Sequence, residues 1–147
     1  MSKVFQALFT GIGIVFFLDF FLFLGIEFNY IKFHEIDVYY NILFADHQNA
    51  FIFFTLSGIL GFLVTYVNNT KLSLSIISIL ALLSLSSLIP SIGHSVGSVL
   101  LMKTNTTLKN DKYTFIGDIY YDGREKITFY DYELQKIIIL EKKDLIK

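Results

Sequence analysis

Three long stretches of apolar residues dominate the first 103 positions, and short polar segments separate them. They run from about residue 4 to 26, from about 50 to 67 and from about 72 to 102. A helix needs about 20 predominantly apolar residues to cross a hydrocarbon core of roughly 30 Å. The pattern therefore predicts three transmembrane helices within a domain of residues 1–103.

The third apolar stretch is too long for one straight span. At 1.5 Å per residue it would extend about 46 Å, well beyond one hydrocarbon core. Pro90 removes a backbone donor and crowds the preceding turn, so we expect the helix to kink there. The polar segment 68–71 is short enough to make the second and third spans an antiparallel hairpin.

The pattern changes to strand-like alternation near the C-terminal end. Residues 104–111 are polar and predict a linker, whereas apolar and polar positions alternate along residues 112–147. Asp122-Gly123 between alternating runs is a strong hairpin signal, and residues 133–135 supply a second turn. The predicted fold is therefore an α-helical membrane protein with a small, three-stranded antiparallel β-meander.

Composition supports the membrane class. Hydrophobic residues make up 54% of the chain and charged residues 17%, and the mean hydropathy is +0.58, which is too apolar for a soluble domain of 147 residues. A net charge of −1 offers no basic surface, so we expect no nucleic-acid partner. The absence of cysteine excludes disulfides, thiol catalysis and cysteine-ligated metals.

Asp19 lies within the apolar run VFFLDFFLFLGIEF, about 22 Å from one end of the first span and 10 Å from the other. An ionisable residue inside a membrane suggests an ion or proton relay. The alternative is a structural carboxyl that bonds Ser87 or Ser91 of the third span and sets helix register. We favour this structural interpretation, because none of the three spans carries a second acidic residue or a lysine.

Small and polar side chains recur along the second and third spans. Such residues let helices approach closely, and their hydroxyls satisfy polar groups that lipid cannot. The spans therefore pack on one another or on a partner. The predicted packing set is Ser57, Gly61, Thr65, Gly93 and Gly97, and the predicted intramembrane polar set is Asp19, Ser84, Ser87, Ser91 and His94.

The segment 27–49 carries the richest polar chemistry. Its histidines and carboxylates are metal-capable residue types, but their spacing matches no zinc or calcium pattern, and His34-Glu35 lacks the second histidine of H-E-x-x-H. We therefore predict no metal and no other cofactor. Its aromatic residues favour a segment that lies at the bilayer surface with its charges in water.

The pentapeptide GHSVG at residues 93–97 superficially matches the G-x-S-x-G nucleophile elbow. That elbow requires a strand before it and a helix after it, whereas both flanks here are apolar helix. Adjacent His94 and Ser95 also point about 100° apart on a helix. We therefore expect no enzymatic activity.

The predicted meander is too small to bury both of its faces. Its apolar side needs a cover, which the segment 27–49, another copy of the chain or a different protein would supply. The residues predicted for this interaction face are Phe115, Ile119, Ile127, Phe129, Ile137 and Ile139.

These features favour a small, non-enzymatic accessory or assembly subunit whose helices dock on a larger membrane complex and whose β tail binds a partner. The alternative is a homo-oligomeric transport or conductance component that uses Asp19. A third hypothesis is a membrane immunity or exclusion protein. The expected partners are membrane lipid and either a larger membrane protein complex or further copies of the chain.

Richness in Ile, Phe, Asn and Lys suggests an AT-rich bacterial genome, and hence a multi-pass protein of the inner (cytoplasmic) membrane. The three predicted spans place Lys3 and Lys71 on one side of the membrane and four lysines on the other side, together with the tail. By the positive-inside rule, the side with more lysines is the cytoplasm, which would put the tail there. The start MSKVF instead favours an amino terminus inside. We expect the tail on the extracytoplasmic side.

Overall fold

The computed structural model describes residues 2–67 and 69–146. Within them, the helices precede the strands along the chain, as the change of sequence pattern predicts. The α-helices are α1 (Lys3–Ile26), α2 (Tyr40–His47), α3 (Ala50–Tyr66), α4 (Thr70–Ser86) and α5 (Pro90–Leu101). A π-helical turn, Glu27–Ile31, extends α1 without a break.

One helix in the described part of the chain is long and apolar enough to cross a membrane by itself. It is the continuous helix Lys3–Ile31 of 29 residues, in which an 18-residue window has a mean hydropathy of 2.3. The pairs α2–α3 and α4–α5 pass the same test only when each is counted as one bent span, because they bend by 82° and 90°.

The predicted single helix from about 72 to 102 is broken rather than kinked. Residues 87–89 separate α4 from α5, and Pro90 is the first residue of α5. Proline is favoured at that position because its missing N–H would have no intrahelical partner there. The proline therefore begins a new helix, nearly perpendicular to the one before it.

The helices α1 and α3 pack unusually closely in antiparallel directions. A Cβ atom added to Gly11 would lie 1.8 Å from the carbonyl oxygen of Ser57, and one added to Gly61 would lie 1.9 Å from that of Ala7. The glycines therefore allow direct contact between the two backbones. Of the residues predicted for helix packing, Ser57 and Gly61 lie at this contact and are buried, and Thr65 is half-buried.

Hydroxyl groups join α4 to its neighbours. Ser84 Oγ donates to the carbonyl of Leu18, and Ser87 Oγ donates to that of Phe21 at 3.0 Å. Near the other end, Ser73 Oγ donates to Leu63 of α3 at 3.3 Å. The turn between α3 and α4 includes Asn68, which lies outside the described residues.

The C-terminal strands form an antiparallel sheet with five described strands. Their order is β4-β3-β2-β1-β5. The strands are β1 (Lys103–Asn110), β2 (Thr114–Asp122), β3 (Lys126–Asp131), β4 (Lys136–Glu141) and β5 (Leu145–Ile146). The three-stranded prediction is therefore too small, and the segment predicted as a linker is mostly β1. Its polar side chains do not prevent pairing, because the ladder is made by backbone groups.

The two predicted turns of the sheet are confirmed. Gly123 N donates to Lys126 O at 3.0 Å, which closes the turn between β2 and β3. Between β3 and β4, the carboxylate of Asp131 accepts from the backbone N–H groups of Glu133 and Leu134, and Gln135 has a φ of 51°. An aspartate that bonds the backbone ahead of it stabilises such turns.

The sheet encloses a core of its own. Ile119, Ile127 and Phe129 are buried there, and Phe115 packs against them. Register shifts within the β1–β2 and β2–β3 ladders bend the sheet around this core. The predicted interaction face is thus divided: those four residues are internal, whereas Ile137 and Ile139 lie on the opposite side of β4, 44% and 63% exposed.

Candidate functional site at the junction of helices and sheet

Asp19 lies at one end of the α1–α3 pair. Its Oδ2 accepts a hydrogen bond of 2.9 Å from Gln48 Nε2, in the short connection between α2 and α3. The contacts of Gly11 with Ser57 and of Ala7 with Gly61 set the antiparallel alignment, which places the start of α3 beside Asp19.

The predicted bond between Asp19 and Ser87 or Ser91 is wrong. Ser87 Oγ donates to Phe21 O and to Ser84 O, and Ser91 is exposed on α5. The register between α1 and α4 is therefore set by serine hydroxyls that donate to backbone carbonyls of α1. The prediction aligned Asp19 with Ser87 by their depths along the apolar runs. That alignment fails because α1 continues well past the ends of α3 and α4.

The surroundings of α1 change at Asp19. Before it the large apolar side chains are mostly exposed, whereas after it many are buried by α2, α5 and the sheet. The exposed set includes Val4, Phe5, Phe9, Phe16 and Phe17, and the buried set includes Phe23, Ile26, Tyr30 and Ile31. Asp19 therefore lies at the transition between two environments of the same helix.

A second core fills the junction of helices and sheet. It combines the end of α1 with Ile36, with Leu43 of α2, with Leu101 of α5 and with Tyr121 of β2. The segment 27–49, named as one of three candidate covers, thus packs against α5 and β2. This core joins the sheet to the helices over elements that are far apart in sequence.

Hydrogen bonds and ion pairs reinforce the junction. Tyr30 Oη donates to the carbonyl of Tyr120 at 2.9 Å. In the β2–β3 turn, Arg124 Nε donates to Asp46 Oδ2 on α2 at 2.9 Å, and Arg124 Nη2 donates to Asp46 Oδ1 at 2.5 Å. This bidentate geometry fixes direction as well as distance. The sheet is therefore oriented on the helices by polar contacts at two separate points.

Asp122 anchors the base of the same turn. Its carboxylate lies 2.8 Å from Lys103 Nζ and 2.6 Å from Lys142 Nζ. Although burial opposes ionisation, these two ammonium groups lower the pKa of Asp122 below its ordinary value. The start of β1 and the segment after β4 are thus held at one carboxylate.

An aromatic cluster surrounds the two histidines of the junction. The His34 ring lies 4.2 Å from that of Tyr120 and 5.4 Å from that of His94, measured between centroids. His94 also lies 5.6 Å from Tyr30 and 4.9 Å from Phe33. These contacts place His94 at the junction, beyond the α1–α3 pair.

We expect the junction to weaken as the pH falls. Burial, together with the neighbouring His94, lowers the pKa of His34 below its ordinary value of 6.5. The unfolded chain therefore binds a proton more readily, so the stability from neutral His34 is complete above about pH 6.5 and decreases below it. The melting temperature, measured at a series of pH values below about 6.5, should fall as the pH falls. His34→Gln should reduce this dependence, and the control His47→Gln should retain it. Equal slopes in all three proteins would contradict this assignment.

The polar residues of the segment 27–49 do not converge. His34 faces Tyr120, His47 lies beside Tyr121, and Asp46 pairs with Arg124. Among residues 2–67 and 69–146, no group of three or more histidine, aspartate or glutamate side chains is arranged to hold a metal ion.

The sequence GHSVG lies entirely within α5. Ser95 Oγ donates to Ser91 O at 2.8 Å, and Ser98 Oγ donates to His94 O at 2.9 Å. Gly93 and Gly97 face the end of α1, since added Cβ atoms would lie 2.1 Å from Ser87 O and 2.4 Å from Tyr30 Cβ. The two glycines therefore serve close packing against this chain's own helix and preceding turn.

Several residues of the junction have no local signal in the sequence. Gln48, Tyr30 and Arg124 acquire their roles through partners 29 to 90 positions away. Pairing over such distances depends on the fold as a whole.

Comparison with protein-family models, with curated proteins and with solved structures gave no match.

Proposed function

We propose that α1, α3 and α4 cross the membrane together and that α2 and α5 lie along one of its surfaces. With 17 residues each, α3 and α4 extend about 25 Å, close to the hydrocarbon thickness. α3 begins where α2 meets it at an angle of 82°, and α4 ends where the chain bends by 90° into α5. Large apolar side chains are exposed along all three helices, as lipid contact requires.

In this arrangement Asp19 lies at the membrane boundary. Its hydrogen bond to Gln48 is made where α2 meets α3, at the level at which the chain turns along the surface. A carboxylate at that depth reaches the headgroup region and costs far less than one at the bilayer centre. The position gives no support to a relay function for Asp19.

The proposed boundary is testable with single cysteines, because the chain has none of its own. Gln48→Cys lies at the boundary, so it should react with a membrane-impermeant maleimide added to sealed vesicles on the side of the membrane where the junction lies. Ile59→Cys, which is exposed in the middle of α3, should remain unlabelled until detergent is added. An unreactive Gln48→Cys beside a reactive Ile59→Cys would overturn the arrangement.

The proposed biochemical function is that of a non-enzymatic accessory or assembly subunit that presents its sheet to a partner protein at the membrane surface. The observation that carries it is the edge strand β4, whose Ile137 and Ile139 are exposed. Exposed apolar edges invite strand pairing and are normally protected. A partner strand that adds to β4 would cover the isoleucines and pair the free backbone groups.

Affinity purification of the full chain in mild detergent tests this function. A stoichiometric partner protein should be lost with the double variant Ile137→Asp/Ile139→Asp and retained with Thr107→Asp, a matched exposed position on β1. Retention by the double variant would exclude β4 as the docking edge. Recovery of the chain alone, or only as a homo-oligomer, would contradict the accessory-subunit proposal.

A further inference from the structure

A cavity of about 570 Å³ lies between the end of α1 and the beginning of α5. It opens at the junction, beyond the boundary proposed at Asp19. Both a cation and polar groups are present among the aromatic side chains. The lining includes Phe28, Asn29, Lys32, Phe33, Ser91 and His94.

The cavity is electropositive. Lys32 Nζ lies 4.1 Å from the centroid of the Phe28 ring and takes part in none of the ion pairs of the described residues. None of the residues that line the cavity is acidic. The Nε2 atom of His94 is buried and has no hydrogen-bond partner among the described residues. An anion would find an uncompensated cation here.

The surroundings of the cavity are apolar and exposed. Phe28 and Phe33 stand out from the end of α1, and Ile89 and Ile92 stand out beside the beginning of α5. Free inorganic anions gain nothing from such side chains, whereas hydrocarbon chains do. An anionic head attached to acyl chains matches both the polar lining and the apolar surroundings.

We propose that this cavity binds the anionic headgroup of a glycerophospholipid, with Lys32 against the phosphate and the acyl chains along the exposed apolar residues. The inference rests on the proposed membrane arrangement, which places the cavity near the headgroup layer. It assigns to the chain a specific lipid partner at the face where the sheet is attached. Lysines near a membrane surface recognise anionic lipids by this kind of complementarity.

Native mass spectrometry of the purified full chain tests the proposal, with phosphatidylglycerol and phosphatidylcholine as the lipid probes. The chain should bind phosphatidylglycerol preferentially. Lys32→Gln should weaken that binding roughly five- to tenfold, as expected for the loss of one interfacial cation. Lys109→Gln removes the same charge from an exposed site on β1 and should change binding less than about twofold.

A second variant separates shape from charge. Ser91→Phe places a ring in the cavity without altering net charge and should also weaken phosphatidylglycerol binding. Equal effects of the two lysine variants would show general surface attraction and overturn the proposal. Displacement of the lipid by millimolar inorganic phosphate would assign the site to a free anion instead.

The failure of this inference is distinguishable from failure of the membrane arrangement. Extraction of membranes with alkaline carbonate releases peripheral proteins and leaves integral ones behind. A chain that stays in the membrane but does not prefer phosphatidylglycerol overturns only the lipid site. Release by carbonate would overturn the arrangement on which the site rests.

Discussion

Replacing Gly11 with valine is expected to separate α1 from α3. The Cβ of any side chain at this position would lie 1.8 Å from the carbonyl oxygen of Ser57, far inside contact distance. The obstacle is backbone rather than a flexible side chain, so the helices must move apart to accommodate it. Overpacking of this kind costs about 3 kcal/mol, and Gly61→Val should have a similar effect against Ala7.

The matched control is Gly13→Val on the same helix. An added Cβ at Gly13 meets nothing within 4 Å, and Gly58 on α3 is equally open. Valine is slightly better than glycine in a helix interior, so the control should be neutral or mildly stabilising. Thermal unfolding in detergent measures the difference in stability between Gly11→Val and its control Gly13→Val. Equal stability of the two variants would contradict the close contact.

Phe129→Ala is expected to unfold the sheet while the helices stay folded. The Phe129 side chain is fully buried at the centre of a core with few other large members. Truncation of a buried phenylalanine costs about 3–5 kcal/mol, which is comparable to the total stability of many small domains. The β residues should then become sensitive to protease, whereas the span region stays protected by detergent.

Ile139→Ala provides the comparison for this variant. Ile139 lies on the opposite side of the sheet and is 63% exposed, so its truncation should cost less than about 1 kcal/mol. Limited proteolysis of both variants in micelles, read by the survival of the C-terminal fragment, measures the difference. Equal protection of the two variants would show that the sheet does not depend on this core.

Local sequence patterns are sufficient for the parts of the fold that depend on neighbouring residues. The apolar runs predict helices, Asp122-Gly123 predicts a hairpin turn, and Asp131 stabilises the next turn through its side-chain carboxylate. Each of these signals acts over only a few positions. The corresponding elements therefore appear close to their predicted places.

The missing elements depend on distant partners. Residues 103–110 resemble a linker because their strand is set by backbone pairing with β2 and β5 rather than by apolar side chains. Gln48 becomes the partner of Asp19 only after α1 and α3 align. None of these relations is visible in a short window of sequence.

The pairing of β1 with β5 has a consequence for biosynthesis. Lys109 aligns with Ile146, so the strand that directly follows the helices receives its outer neighbour only after three other strands have been made. A ribosome releases residue 109 long before residue 146. Under the proposed membrane arrangement, the helices can therefore enter the bilayer while the sheet is still open. Completion of the sheet waits until the last strand has been made.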